Sequence, residues 1–245
     1  MKKLAALLFF VATLFTGTNA FAIVDLEGRY WLTTMDDEIK SGTTGDTINL
    51  VDDLGVDDKE NFFDVRATLE LGSHRLRYGY MPLNWKGTKT ISQDIVFNGQ
   101  TYSALDTVNT ELDIAYHRLG YEYDIIDTLD NRLGVIFEVK YFDIDASLTS
   151  TGLNETASVK APVPTVGIAA QVGLPFLLTV GGEVTGITLG SAAWLVDAEA
   201  GVNFKPAPFV VVSGGYRLLK LHLDYDDDLA DISVQGPFVM LRADF

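Results

Sequence analysis

Apolar and polar side chains alternate at a period of two along most of this chain, and the polar set is heavily charged. Phe63, Val65, Ala67, Leu69 and Leu71 share one face, with Asp64, Arg66, Thr68 and Glu70 on the other. Leu133, Val135, Phe137, Val139 and Tyr141 oppose Gly134, Ile136, Glu138 and Lys140 in the same way, and Val196 to Phe204 repeats the pattern. Period two is the signature of a β-strand with two unlike faces. A soluble two-sheet sandwich also alternates, but its core does not receive Asp, Arg, Glu and Lys as one whole face in strand after strand. A sheet that turns its apolar face to lipid must close on itself, because each unpaired edge group in hydrocarbon costs several kcal/mol. The expected fold class is therefore all-β: a closed antiparallel transmembrane β-barrel.

The pattern gives ten strands, with eight as the alternative count: 23–35, 61–71, 74–97, 100–124, 132–146, 158–174, 177–187, 193–204, 209–223 and 231–245. Connections at one end are short, as at Gly72-Ser73 and Lys205–Pro208. At the other end Met35–Glu60 is long, and Ala146–Ala157 and Leu223–Asp231 are medium and polar; Gly186–Ala192 is short although it falls at that end. Short turns at one rim and longer loops at the other fit a membrane barrel. An even strand number brings both termini to one side, expected to be periplasmic. Asn98-Gly99 is a type I′ turn signal, so strands three and four should project beyond the lipid as one ribbon. Strand four changes phase between Tyr116 and Leu119, which predicts a β-bulge at His117-Arg118. Tyr121, Tyr123, Phe204, Phe209 and Phe245 should gather at the inner interface, and Tyr80, Trp85, Tyr141, Trp194 and Tyr216 nearer the outer one.

The first 22 residues read as a secretory signal: Lys2 and Lys3, an apolar run from Leu4 to Phe15, and Ala20-Phe21-Ala22 before the cleavage point. The domains are thus 1–22, a cleaved leader, and 23–245, the barrel. Without the leader's two lysines the chain holds 16 basic and 34 acidic residues, net −18. Such a charge argues against a nucleic-acid partner, which selects a basic surface. The absence of cysteine excludes thiol catalysis and thiolate metal sites.

The inward faces supply the candidate site. Arg29, Arg66, Arg118, Lys140 and Arg217 sit near mid-barrel, with Glu138, Glu183, Asp197 and Glu199 at comparable heights. Paired, they form a salt-bridged plug; unpaired, they line a narrow aqueous path with rings of charge. A ten-strand barrel is small enough for side chains to fill it. His117 is expected inside the lumen, and His74 at an inner turn. His222 with Asp224, at the outer rim, is the best catalytic candidate, but no serine or second acid is placed beside it. Asp224, Asp226, Asp227 and Asp228 are weak candidates for holding a hard cation, without a Ca²⁺-loop motif. No cofactor motif is present.

A signal, alternating strands, unequal loops and a last strand ending Leu241-Arg242-Ala243-Asp244-Phe245 together resemble the small outer-membrane β-barrels of Gram-negative bacteria, the broad OmpA-like and OmpW-like group. The resemblance covers the whole chain after the leader and departs from the eight-strand members in strand count. It implies an outer-membrane location, with lipid and lipopolysaccharide around the barrel. It also implies that Phe245, with apolar residues at alternate positions before it, is the signal read by the barrel-assembly machinery. Porin-like passage or binding of small solutes is the first functional expectation. A closed barrel acting through its surface loops is the second, and a lipid- or peptide-modifying enzyme at the outer rim the third.

Overall fold

The computed structural model describes residues 22–40, 48–128, 130–225 and 228–245. The expected leader, up to residue 21, lies outside the described residues, as do Asp226 and Asp227. The described residues contain β-strands and no helix. The chain begins with β1 (Ala22–Leu32) and β2 (Thr34–Lys40), then β3 (Asn61–Leu71) and β4 (His74–Thr90). A short hairpin follows, β5 (Ile95–Phe97) and β6 (Gln100–Tyr102), before the long strands β7 (Thr107–Asp127), β8 (Arg132–Ser150) and β9 (Leu153–Leu174). The last four are β10 (Leu178–Thr188), β11 (Ala193–Ala207), β12 (Val210–Tyr225) and β13 (Asp228–Asp244).

Every neighbour in the large sheet is antiparallel, and β13 returns to pair with β1 from Asp25↔Asp244 to Trp31↔Phe238. Phe245 completes the seam, exchanging backbone hydrogen bonds with Val24 at 2.9 and 3.1 Å. β2 continues β1 along β13, so the closed wall has ten strands. The interruption at Thr33 falls opposite Gly236, where a Cβ would overlap the Leu32 carbonyl; only glycine lets the wall bend this tightly.

The outward face is apolar over a broad band. Leu26, Phe63, Val65, Leu119, Phe137, Val166, Ile168, Val239 and Leu241 are all exposed. His74, Tyr121 and Tyr123 mark one edge, with the His74 Nδ1 2.6 Å from the Tyr121 hydroxyl. Tyr80, His117 and Tyr141 mark the other. Beyond them the outward residues turn polar, as with Asn84, Asp113 and Asp145.

The interior has two layers. Level with the apolar band it is charged. Beyond the band it becomes a hydrocarbon core of Phe62, Leu83, Trp85, Ile91, Ile95, Tyr102, Val108 and Leu148. Loop residues Leu54 and Val56 complete this core from the first long connection. That connection is not free coil. Thr33 N–H donates to the Glu60 carbonyl at 2.9 Å, Met35 N–H donates to that of Asp58 at 2.8 Å, and Val56 bridges to Gly87. A Cβ at Gly87 would collide with Val56 and Gly55, so glycine admits the loop there.

Four expectations are corrected. No bulge occurs at His117-Arg118: pairing runs unbroken from His74↔Tyr123 to Thr90↔Thr107, and the register shift on the other side of β7 falls at Asp124/Ile126. The apparent phase change is a change in the lining. Even-numbered residues face inward throughout β7, first Val108, Leu112, Ile114 and Tyr116 in the core, then Arg118, Glu122 and Asp124 below it. The ribbon is not continuous: β5 and β6 form a separate two-stranded sheet that folds onto the core, with the Tyr102 hydroxyl donating to the Leu148 carbonyl at 2.6 Å. The polar segments 146–157 and 223–231 are mostly strand, so the asymmetry of the barrel lies in how far the strands extend rather than in coil. Trp85 is not an interfacial aromatic; it is 1% exposed inside the core, edge-on to Phe62 at 4.9 Å.

Candidate functional site

Nine charged residues singled out in the sequence meet inside the barrel, because each occupies an inward position of its strand at one level. Arg29 on β1 makes a two-pronged contact across the lumen with Glu199 on β11, at 2.6 and 3.0 Å. Arg217 on β12 grips Asp197 on β11 the same way, at 3.0 and 3.1 Å, and reaches Asp64 on β3 at 3.4 Å. Arg118 on β7 holds Glu138 on β8 through Nε and Nη2, at 3.0 and 3.1 Å, and Glu183 on β10 at 2.8 Å. Arg66 on β3 lies 3.5 Å from both Glu183 and Glu199.

Lys140 sits at the centre and is 0% exposed. Its ammonium donates to Glu138 at 2.5 Å, to Asp197 at 2.9 Å and to the Tyr116 hydroxyl at 2.9 Å. The Tyr116 hydroxyl in turn donates to Asp197 at 2.9 Å. An ammonium has three protons to give, and here all three have acceptors. Aromatic faces finish the packing: the Arg29 guanidinium lies 4.6 Å from the Phe238 ring centre, and that of Arg217 lies 4.9 Å from Trp31.

The sequence reading missed several members. Asp64 bridges Arg217 and Arg29, Arg77 joins Glu122 at 3.0 Å and also contacts Glu183, and Tyr116 links Lys140 to Asp197. Parity was the available signal, since Arg77 shares a face with Arg75, and Glu122 with Arg118. Toward the mouth at the His74 end Arg75 adds Asp124 at 2.6 Å and Glu70.

The network leaves little space. Between Asp64, Arg66, Met81, Tyr116, Arg118 and Arg217 the cavity is about 10 Å³, room for about one water molecule. The apolar core lies directly beyond it. Charges this deeply buried persist only when paired, and each of the nine has an opposite charge within 4.0 Å, while Arg29 Nε and Arg118 Nη1 carry no hydrogen bond.

The other candidates fall elsewhere. His117 is not in the lumen; it faces outward, with Nδ1 2.9 Å from the Tyr78 hydroxyl and its ring 4.8 Å from that of Tyr80. His222 also faces outward, and its partner is Asp231 at 3.2 Å rather than Asp224. Asp224 is exposed at the end of β12, and no group of three or more metal-ligating residues gathers among the described residues. Asp37 is buried beyond the apolar band, where both carboxylate oxygens accept the Leu50 N–H at 2.9 Å. Burial pushes its pKa from 3.8 to about 6, against the pull of the Leu50 and Val51 amides.

No family model matches the chain, and no curated protein matches it in sequence. Among solved structures it is similar to the outer membrane protease OmpT of Escherichia coli, with 10% identity, a TM-score of 0.54, and coverage of 91% of this chain and 96% of that one. The attachment invasion locus protein Ail of Yersinia pestis aligns over 91% and 99% of the two chains at 12% identity, with a TM-score of 0.40. The first of these shares the closed barrel fold, and the likeness reaches no further than the fold.

Proposed function

We propose that the protein is an outer-membrane β-barrel whose lumen is sealed and whose working surface is the folded cap beyond the lipid. The outward apolar band supports the membrane placement, since exposed apolar surface on this scale is not tolerated in water. The more extended strands, their polar outer faces and the cap then lie outside the cell, with both termini periplasmic.

The observation that carries the sealed reading is the pairing of Arg29, Arg118, Lys140 and Arg217 with Glu199, Glu138 and Asp197 directly beneath the apolar core. A conducting pore lined by these residues would need them apart and hydrated. Porin-like passage of small solutes is therefore the second reading, and it requires the cap to lift and the network to part. The sealed reading assigns no catalytic step to the barrel. The test is osmotic swelling of liposomes carrying the folded protein. With arabinose outside, the expected swelling equals that of empty liposomes; swelling that scales with protein overturns the sealed reading. A variant lacking residues 91–102 should still fold into a heat-modifiable barrel, because that segment pairs with no strand of the wall.

A further inference from the structure

The outer face of the wall carries a feature that neither the lumen nor the cap explains. Across β4, β7, β8, β9, β10 and β11 the wall is concave, leaving an open apolar groove of about 1190 Å³. Its floor follows one hydrogen-bonded row: Leu76↔Tyr121, Tyr121↔Phe137, Phe137↔Val166, Val166↔Gly186 and Gly186↔Val196. Five strand-to-strand steps make this row roughly 24 Å long. Because barrel strands tilt, a row perpendicular to them climbs as it crosses the wall. It rises from Leu76, near the inner edge of the apolar band, toward the outer rim.

The next partner along the row is Lys220, opposite Val196, and one rung above it His222 stands opposite Trp194. Trp194 lines the groove and stacks on the His222 ring at 5.6 Å with an interplanar angle of 19°. Asp231 fixes the imidazole through Nδ1 at 3.2 Å, which leaves Nε2 as the free nitrogen. Two other outward lysines of the wall strands are neutralised within the protein, Lys86 by Glu111 and Lys160 by Asp143 at 3.1 Å, and Lys89 is held by the Asp52 carbonyl. Lys220 makes no ion pair among the described residues; Asp36 lies two strands away along the same row, with Ser233 between. An apolar trough inclined through the lipid therefore ends on an ammonium and an imidazole at headgroup height, on an otherwise acidic rim.

We infer that this groove and the Lys220–His222 pair form one binding site for a phosphorylated, acyl-chain-bearing lipid of the outer leaflet. An acyl chain lies along Phe137, Val166, Val184 and Val196, and the phosphate is held by the Lys220 ammonium beside the His222 imidazole. Trp194 sits at the junction, where an amphipathic ring suits both halves of the ligand. The inference rests on the membrane placement proposed above and not on the sealed lumen.

The test is native mass spectrometry of the protein released from nanodiscs of phosphatidylcholine doped with bisphosphorylated lipid A. The wild type is expected to retain lipid A, and the Lys220→Gln/His222→Gln double variant to retain at least tenfold less. Val184→Trp, which fills the groove with a lipid-compatible side chain, is expected to reduce retention independently. Dephosphorylated lipid A should be retained no better by the wild type than by the double variant, and inorganic phosphate alone should not compete. Equal retention of lipid A by wild type and double variant overturns the site. So does competition by free phosphate, which would mean a headgroup site without the groove, or a doubled protein mass, which would mean that a second copy covers the face. Failure to enter nanodiscs at all would instead overturn the membrane placement.

Discussion

Replacing Asp197 by Asn removes the one carboxylate that receives four donors: two from Arg217, one from Lys140 and one from the Tyr116 hydroxyl. What remains is an ammonium that is 0% exposed, with Glu138 as its only carboxylate, and a guanidinium left to Asp64 at 3.4 Å and Glu199 at 4.0 Å. Removing one partner from a buried pair costs about 3–5 kcal/mol, and Asp197→Asn should fall in that range. Lys140→Met should cost less, about 1–3 kcal/mol, because Glu138 keeps Arg118 and Asp197 keeps Arg217, each through two bonds. In the double variant the orphaned ammonium is gone, so the combined cost should fall short of the sum by about 1–3 kcal/mol. The assay is reversible urea unfolding in lipid vesicles, followed by tryptophan fluorescence; Trp31, against Arg217, reports on the network itself. A cost below about 1 kcal/mol for Asp197→Asn, the range of a solvated surface pair, would refute the reasoning. Strict additivity of the two substitutions would refute it as well.

Asp37 gives a pH dependence with a definite sign. Its folded pKa of about 6 lies above its ordinary 3.8, so the folded state binds more protons between those values. Its contribution is greatest below about pH 4 and is lost as pH rises through about 6, a change of at most about 3 kcal/mol. Hydrogen exchange of the Leu50 and Val51 amides, corrected for intrinsic rates, should show local stability falling over that window in the wild type and a flat profile in Asp37→Asn; the same slope in both would exclude Asp37 as the cause. Gly87→Val should push the 48–60 segment off the cap at a cost of about 1–3 kcal/mol, seen as faster tryptic cleavage at Lys59. Tyr102→Phe removes the hydroxyl bond that ties the hairpin to the Leu148 carbonyl and should loosen β5–β6 by about 1 kcal/mol, read as increased amide exchange there. Deleting Phe245 removes both of its hydrogen bonds to Val24 at the seam and should slow barrel closure, measured as delayed appearance of the heat-modifiable form.

The wall was largely legible, because period two assigns each residue to one of two faces and backbone satisfaction in lipid forces closure. Arg29, Arg118, Lys140 and Arg217 could be named as inward-facing from parity, since they alternate with lipid-facing neighbours such as Tyr30, Leu119, Val139 and Tyr216. Parity does not say where the solvent changes. Beyond the apolar band the outside is wet and the inside is dry, so Leu112, Ile114 and Tyr116 keep the parity of Arg118 while reversing its chemistry. Reading chemistry instead of parity turned that reversal into a bulge. The same reversal hid Trp85 in the core and put His117, of odd parity, inside a lumen it does not face. Partners across the barrel were not legible at all: Arg29 and Glu199 meet because the tenth strand returns to the first, and no local pattern encodes that height match. Asp231 in place of Asp224 beside His222 is a matter of register, fixed by the β12–β13 pairing His222↔Asp231.

Single-channel recording in a planar bilayer tests the sealed lumen most directly. The folded wild type should give no discrete current steps across the applied voltage range, while a variant lacking residues 91–102 and carrying Lys140→Ala, Arg118→Ala and Glu138→Ala should open a measurable path. Stable, ohmic steps from the wild type would contradict the account, because ions cannot pass a network whose cations and carboxylates are bonded to one another beneath a hydrocarbon core.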